Sequence, residues 1–312
     1  MRSARLIANP SSGADRAPEL LRLINAKLRT IVDALDITIT VDADDAERAG
    51  ARAVDEGVEA LFVAGGDGTL NTVLRGVMSA GRPLEGMTLG LIPLGTGNDF
   101  AKALDVGVDP EPAIEQILQQ RTLAVDVGTL NGRPFVNTSA GGFVAEVSEA
   151  VTESLKDATG RLAYLIGGAR ALLGSEPFKA RLVGHNRDTA GTAWLGDLEL
   201  EMFAIGNART IGGGYPIAPD ALVDDGLLDV FLVQRMPLLE FVGVLQTISA
   251  GQHTSDPRVL HFRSSSFDLQ FDRPVRVNTD GELFVAERCE YRIRHRTVRF
   301  FCGPHPWATP ST

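Results

Sequence analysis

The chain has 312 residues, 44% of them hydrophobic and 22% charged, with a formal charge of −10; this is long enough for two domains with proper cores and has the composition of a soluble globular protein. The acidic balance argues against non-specific nucleic-acid binding and against steering of the whole molecule to anionic lipid. No apolar run reaches the ~18 residues of a membrane span, no signal-peptide core opens the sequence, and Cys289 and Cys302 alone give neither a disulfide framework nor a zinc spacing, so a cytoplasmic protein is expected.

Residues 6–8 read as a first strand, and Asn9-Pro-Ser-Ser-Gly13 follows as a loop. Leu20, Leu21, Ile24 and Leu28 fall on one helix face, residues 37–40 alternate like a strand, and residues 44–56 form an alanine-rich helix. The apolar run 60–64 predicts a strand buried on both faces. Gly65, Gly66 and Gly68 break it, and from Asn71 the apolar residues Val73, Leu74 and Val77 recur at helical spacing. A strand, a glycine turn and a helix start make a phosphate cradle, because bare N–H groups point out of the helix N-terminus. Asp67 is the odd residue there, since a carboxylate repels phosphate unless a divalent cation lies between them. The plainer reading is a tight turn with Asp67 or Thr69 as N-cap.

A fourth strand over 89–92 leads to a second glycine loop, Pro93-Leu-Gly-Thr-Gly-Asn-Asp99, and a further helix start. Strands alternating with helices over about a hundred residues predict a doubly wound, mostly parallel sheet. The three loops fall at the carboxyl ends of its strands, where such sheets bind ligands. Composition shifts near residues 123–128. Beyond them, strand-like pieces at 135–137, 178–183, 198–205, 228–233, 266–271, 275–278 and 291–295 predict a second domain of mainly antiparallel strands. Helical pieces interrupt them at 146–156, 162–173 and 238–248. The apolar stripe of 162–173 reads as core packing before membrane docking. Arg292, Arg294 and Arg296 alternate and so share one strand face, by default a solvated one.

Neither a Gly-x-x-x-x-Gly-Lys loop nor a Gly-x-Gly-x-x-Gly turn after the first strand is present. Asn9-Pro-Ser-Ser-Gly13, Gly65-Gly-Asp-Gly-Thr-Leu-Asn71 and Pro93-Leu-Gly-Thr-Gly-Asn-Asp-Phe-Ala101 instead resemble, in order and spacing, the signature loops of the diacylglycerol kinase catalytic domain. Its wider superfamily includes sphingosine, ceramide and NAD kinases. The second half is similar to the soluble bacterial lipid kinases of this family at Asn137–Phe143, Gly206-Asn207, Gly212–Gly214, Asp224-Asp-Gly-Leu-Leu-Asp229 and Asp280-Gly-Glu282.

The resemblance implies an α/β plus β-rich fold, with an N-terminal doubly wound nucleotide-binding domain over 1–125. A second, mainly antiparallel, β-sandwich-like domain spans 126–289, and strands near 290–302 return to the first. It implies an ATP- and Mg²⁺-dependent lipid kinase that phosphorylates a free hydroxyl of diacylglycerol, phosphatidylglycerol or a related lipid. An NAD kinase-like enzyme and a catalytically silent lipid-binding regulator are the alternatives. Carried over by position, Asn9, Ser12, Gly13, Thr40, Gly65, Gly66, Asp67, Gly68, Thr69, Leu70, Asn71, Thr96, Gly97 and Asn98 would meet the nucleotide. Asp67, Asp99 and Asp126 resemble the acids of the magnesium network. Asp225, with the carbonyls of Leu222 and Leu227, resembles a second magnesium site. Asp280 and Glu282 match the pair from which the general base is drawn, and which of the two takes the proton stays open. Their plainer reading is a hairpin turn, as it is for Asp225-Gly226. The expected partners are ATP and a lipid met by peripheral contact at a membrane surface, without nucleic acid; a homodimer is left open.

Overall fold

The structure is a computed structural model that describes residues 1–9, 17–80, 82–84, 86–145, 176–185 and 192–309. Ser12 and Gly13, the helical pieces expected over 146–156 and 162–173, and the apolar stripe of the latter lie outside the described residues.

Four parallel strands, β1 (Ser3–Ala8), β2 (Ala34–Ile39), β3 (Ala60–Gly65) and β4 (Thr88–Pro93), are ordered β2-β1-β3-β4. The run 60–65 can be apolar throughout because helices cover both sheet faces. On one side Ile24 and Leu28 of α1 (Ala17–Leu28) and Ile114 and Ile117 of α5 (Pro110–Leu118) pack on Leu6, Phe62 and Ile92. On the other, α2 (Ala43–Asp55) and α3 (Asp67–Ser79) bury Ala49, Ala53, Val73 and Leu74 against Ile7, Leu61 and Leu91. Asp42 starts α2 by accepting the Asp45 N–H at 2.7 Å. The two helices touch backbone to backbone. A Cβ on Gly76 would lie 1.9 Å from the Glu47 carbonyl oxygen, and one on Gly50 2.4 Å from that of Val73. These glycines let α2 and α3 pack at backbone contact distance. A five-residue helix, α4 (Asp99–Ala103), follows β4.

The second half holds β5 (Thr122–Leu130), β6 (Arg133–Phe135), β7 (Thr138–Gly142), β8 (Phe178–His185), β9 (Thr192–Gly206), β10 (Leu228–Gln234), β11 (Val259–Ser264), β12 (Ser266–Thr279) and β13 (Glu282–Phe301). They pair antiparallel in the order β11-β10-β9-β7-β12-β13, with β8 joined to β9 and β12. The pieces expected as separate strands at 266–271 and 275–278 are one strand, interrupted by a register shift between Gln270 and Val275. One face buries Phe178, Phe203, Phe267 and Tyr291; on the other, α6 (Leu238–Ser249) seats Phe241 and Val244 against Phe231.

The 20-residue β13 pairs with β12 over its first half, with β5 over its second half to Phe301, and parallel to β4 through Arg299 and Phe300. Phe300 meets Phe100 at 5.1 Å and Phe301 stacks on Phe62 at 5.9 Å. Burying each such ring contributes about 1.5–3 kcal/mol. A register shift between Arg294 and Val298, with Arg296 at φ 47°, breaks the alternation expected of the three arginines. Arg292 binds Asp268, and Arg296 binds Asp224. Among the described residues no helix is long and apolar enough to cross a membrane.

Candidate active site

Three glycine loops meet at the carboxyl end of the parallel sheet. A Cβ at Gly95 would stand 2.7 Å from Gly66 Cα, and one at Gly97 3.2 Å from Asp67 Oδ2 and 3.7 Å from Gly213 Cα. Only glycine permits such backbone contacts. Asn98, at φ 50°, fixes the second loop by donating from Nδ2 to the carbonyls of Gly95 and Val108 at 2.7 and 3.0 Å. Gly68 and Thr96 are exposed at the rim, and a Cβ on Gly68 would meet nothing within 4 Å. Gly65, Thr69 and Asn71 lie deeper. Asn9 at the end of β1 donates its amide to the Thr69 hydroxyl at 3.2 Å, and the buried Thr40 hydroxyl donates to the Ala8 carbonyl. Leu70 turns away from this mouth. Its side chain is buried in the core beneath α3 and its N–H closes the helix turn onto Gly66.

Asp67 opens α3 and caps α4. Oδ2 accepts the Asp99 N–H at 3.0 Å, and Oδ1 accepts the Phe100 N–H at 3.1 Å and the Asn137 amide at 3.4 Å. Burial raises its carboxyl above the usual range; the N–H groups of Phe100 and Asp99 oppose this, and the charge of Asp99 adds to it. Asp99 in turn accepts from the Thr210 hydroxyl, the Gly213 N–H and Lys102 Nζ at 2.8, 2.8 and 3.0 Å, tying the third loop to the second.

Asp280 and Gly281, with φ of 48° and 90°, are the two-residue turn between β12 and β13, so the turn reading and the site reading describe the same residues. The buried Asp280 carboxylate accepts the N–H groups of Val136 at 2.7 Å, Asn137 at 3.0 Å and Thr138 at 2.9 Å. Two of these go to Oδ1 and one to Oδ2, which leaves Oδ2 a lone pair. Burial pushes the group from 3.8 up to about 7 against those three bonds, with the charge of Asp67 pushing the same way. Glu282 points elsewhere, into an ion pair with Arg75 of α3, which also holds Glu47 at 3.2 Å.

Asp67, Asp99 and Asp126 do not converge. The fully buried Asp126 accepts from Gly226 N–H (2.6 Å), Arg296 N–H (2.6 Å) and His295 Nδ1 (2.9 Å), and so pins the 222–227 loop to β13. Among the described residues no group of three His, Cys, Asp or Glu side chains could hold a metal. Mg²⁺ in phosphoryl-transfer sites needs only one or two carboxylates beside phosphate and water. Asp67 fits that need, because the neighbouring Asn137 Oδ1 is buried without a hydrogen-bond partner. The second expected set does not fit. Asp225 is ion-paired with Arg263, and its other oxygen accepts the Leu227 N–H at 3.0 Å, so a guanidinium stands where a cation was expected beside Leu222 and Leu227. Arg263, Asn137 and Arg75 escaped the sequence reading. The Asn137 motif was visible, whereas the Arg75–Glu282 pair spans 207 positions and had no local signal.

The diacylglycerol kinase catalytic domain matches residues 3–130, and the YegS C-terminal NAD kinase beta sandwich-like domain matches 137–301. A diacylglycerol kinase of Staphylococcus carnosus is 33% identical over 279 residues, covering 89% of this chain and 88% of that one. One from Staphylococcus aureus is 32% identical over 280 residues, covering 89% and 85%. A crystal structure from Bacillus anthracis superposes with a TM-score of 0.80 at 26% identity, over 97% of this chain and 96% of that one. Another from the same organism, described as a diacylglycerol kinase, gives 0.77 at 24% over 97% and 98%, a likeness of fold. A nucleotide-type α/β domain joined to a β-rich one, with an acid turn facing glycine loops, defines a phosphotransferase of the lipid kinase class. The chain belongs to the diacylglycerol kinase family.

Proposed function

We propose that the protein transfers the γ-phosphate of ATP, with Mg²⁺, to the free hydroxyl of a lipid alcohol, diacylglycerol being the first substrate to test and phosphatidylglycerol the second. The observation that carries this is the lone pair of Asp280 Oδ2, on a buried carboxylate close enough to Asp67 for their charges to interact. In this reading the N–H groups at Gly66–Gly68 and Thr96–Gly97 receive the phosphates, with Asn9, Thr40, Thr69, Asn71 and Asn98 shaping the pocket. Asp67 and Asn137 Oδ1 would hold the cation, which supplies charge neutralisation for the triphosphate. Asp280 Oδ2 accepts the hydroxyl proton as the lipid oxygen attacks; the three N–H bonds fix that oxygen's direction. Asp99 holds the Gly213 loop beside the second glycine loop and narrows the mouth. The nucleotide unit is taken as 1–125 with 290–302, and the lipid unit as 126–289. The substrate is met by peripheral contact with a membrane from the cytoplasm. Incubation with radiolabelled ATP and a bacterial lipid extract tests the reading: label in a phosphatidate or another phosphomonoester lipid supports it, and unlabelled lipid with intact ATP binding refutes it.

A further inference from the structure

Behind the Asp280–Gly281 turn, away from the glycine loops, lies a cavity of about 460 Å³ between α3, the β5–β6 hairpin and β13. Its lining includes Arg75, Arg133 and Arg294 together with Glu47 and Glu282, and Arg133 and Arg294 are exposed to solvent at its mouth. Arg75 is shared by both glutamates and so is neutralised. Arg133 and Arg294 have no carboxylate partner among the described residues, in a chain whose formal charge is −10. Both are held on stiff backbone. Arg133 follows the Asn131-Gly132 turn, with φ of 50° and 82°, and its guanidinium lies 5.7 Å from the Phe284 ring centroid. That hairpin is pinned to β13 by Asn131, which donates to the Arg288 carbonyl at 2.9 Å and accepts the Glu290 N–H at 2.8 Å. Arg294 pairs with Val127 across β5.

We propose that this cavity is an anion site that takes a phosphate ester, a phosphomonoester or phosphodiester group, on Arg133 and Arg294. A guanidinium fork matches phosphate oxygens two at a time in charge-assisted bonds. The site is separate from the γ-phosphate cradle and goes beyond the kinase reading; binding needs no turnover, so the two stand or fall separately. The same group is available from a soluble phosphate ester or from a lipid headgroup at a membrane.

The test uses the full chain, calorimetry with sn-glycerol 3-phosphate, and co-sedimentation with phosphatidylglycerol–phosphatidylcholine vesicles. Arg133→Gln with Arg294→Gln should weaken binding at least tenfold while the ligand-free melting temperature stays put. Arg133→Lys with Arg294→Lys should recover part of the loss, since charge returns without the fork. Arg48→Gln with Arg52→Gln on α2 removes the same charge elsewhere and should bind like the wild type. Loss seen with glycerol 3-phosphate assigns a soluble ester, and loss seen only with vesicles assigns a headgroup; either supports the site. Equal binding by wild type and the Gln pair, an equal loss in the α2 control, or no wild-type binding to either probe overturns it.

Discussion

Replacing Asp280 by Asn tests the centre of the mechanism, because the structure gives that carboxyl two separable properties. Its titration near 7 means that about one molecule in ten is ionised a pH unit below that value, so kcat/KM should fall about tenfold per unit on the acid side. The variant should lower kcat by about 10²–10⁴-fold, lose that acid limb, and keep KM for Mg-ATP. Stability carries an independent sign. The folded group binds its proton more tightly than the unfolded one, so its contribution is fully present below about pH 4 and is lost as pH rises through about 7. The gap of about three pH units, at about 1.4 kcal/mol each, is worth about 4 kcal/mol. Urea unfolding from pH 4 to 8 should therefore show the wild type losing stability with pH more steeply than the variant. The variant's constant offset, from the Val136 N–H facing an amide, does not alter that slope. A flat wild-type kcat/KM between pH 5 and 8, or full activity in the variant, refutes the assignment.

Glu282→Gln should cost less than tenfold in kcat, because Glu282 is engaged by Arg75; a loss as large as that of Asp280→Asn in steady-state assays would move the base to Glu282. Gly68→Val should weaken Mg-ATP binding tenfold or more by calorimetry with an unchanged melting temperature, its Cβ reaching only open space; Gly66→Val should lose both, since a Cβ there meets Gly95 Cα at 3.1 Å. Asp126→Asn should lower unfolding free energy by about 2–4 kcal/mol in a urea titration, through buried N–H groups left without an anion, and leave the Mg²⁺ dependence of the remaining activity unchanged. Asp67→Asn should instead shift that dependence to higher Mg²⁺ in kinetics across a Mg²⁺ series.

The strands of the first domain and its glycine loops at 65–68 and 95–99 were legible because each rests on local pattern. The apolar run at 60–64 is β3, and the helix expected at 44–56 is α2 at Ala43–Asp55. The same local reading split β12, since the register shift between Gln270 and Val275 looks like a loop until β13 is seen pairing on both sides of it, with β8 before it and β7 after. It also gave Arg292, Arg294 and Arg296 one face, which fails because Arg296 leaves the extended region. The acids were visible as residues but not as roles. That Asp126 is a buried strut, and that Asp67 caps a helix 32 positions away, depends on pairings between distant segments. At Asp225 the structure sets the Arg263 guanidinium beside the carboxylate, and that arginine comes from a strand with no local mark of such a duty.

The course of β13 also bears on how the molecule comes into being on the ribosome. The strand that flanks β4 and delivers Phe300 and Phe301 to the first domain's core is made after the whole β-rich half. While that half is being synthesised, the first domain carries an uncovered strand edge and two missing core rings, the kind of surface that recruits chaperones or neighbouring nascent chains. Vectorial synthesis thus leaves the α/β half incomplete until the β-rich half exists, so the α/β half would not accumulate as a finished domain on its own.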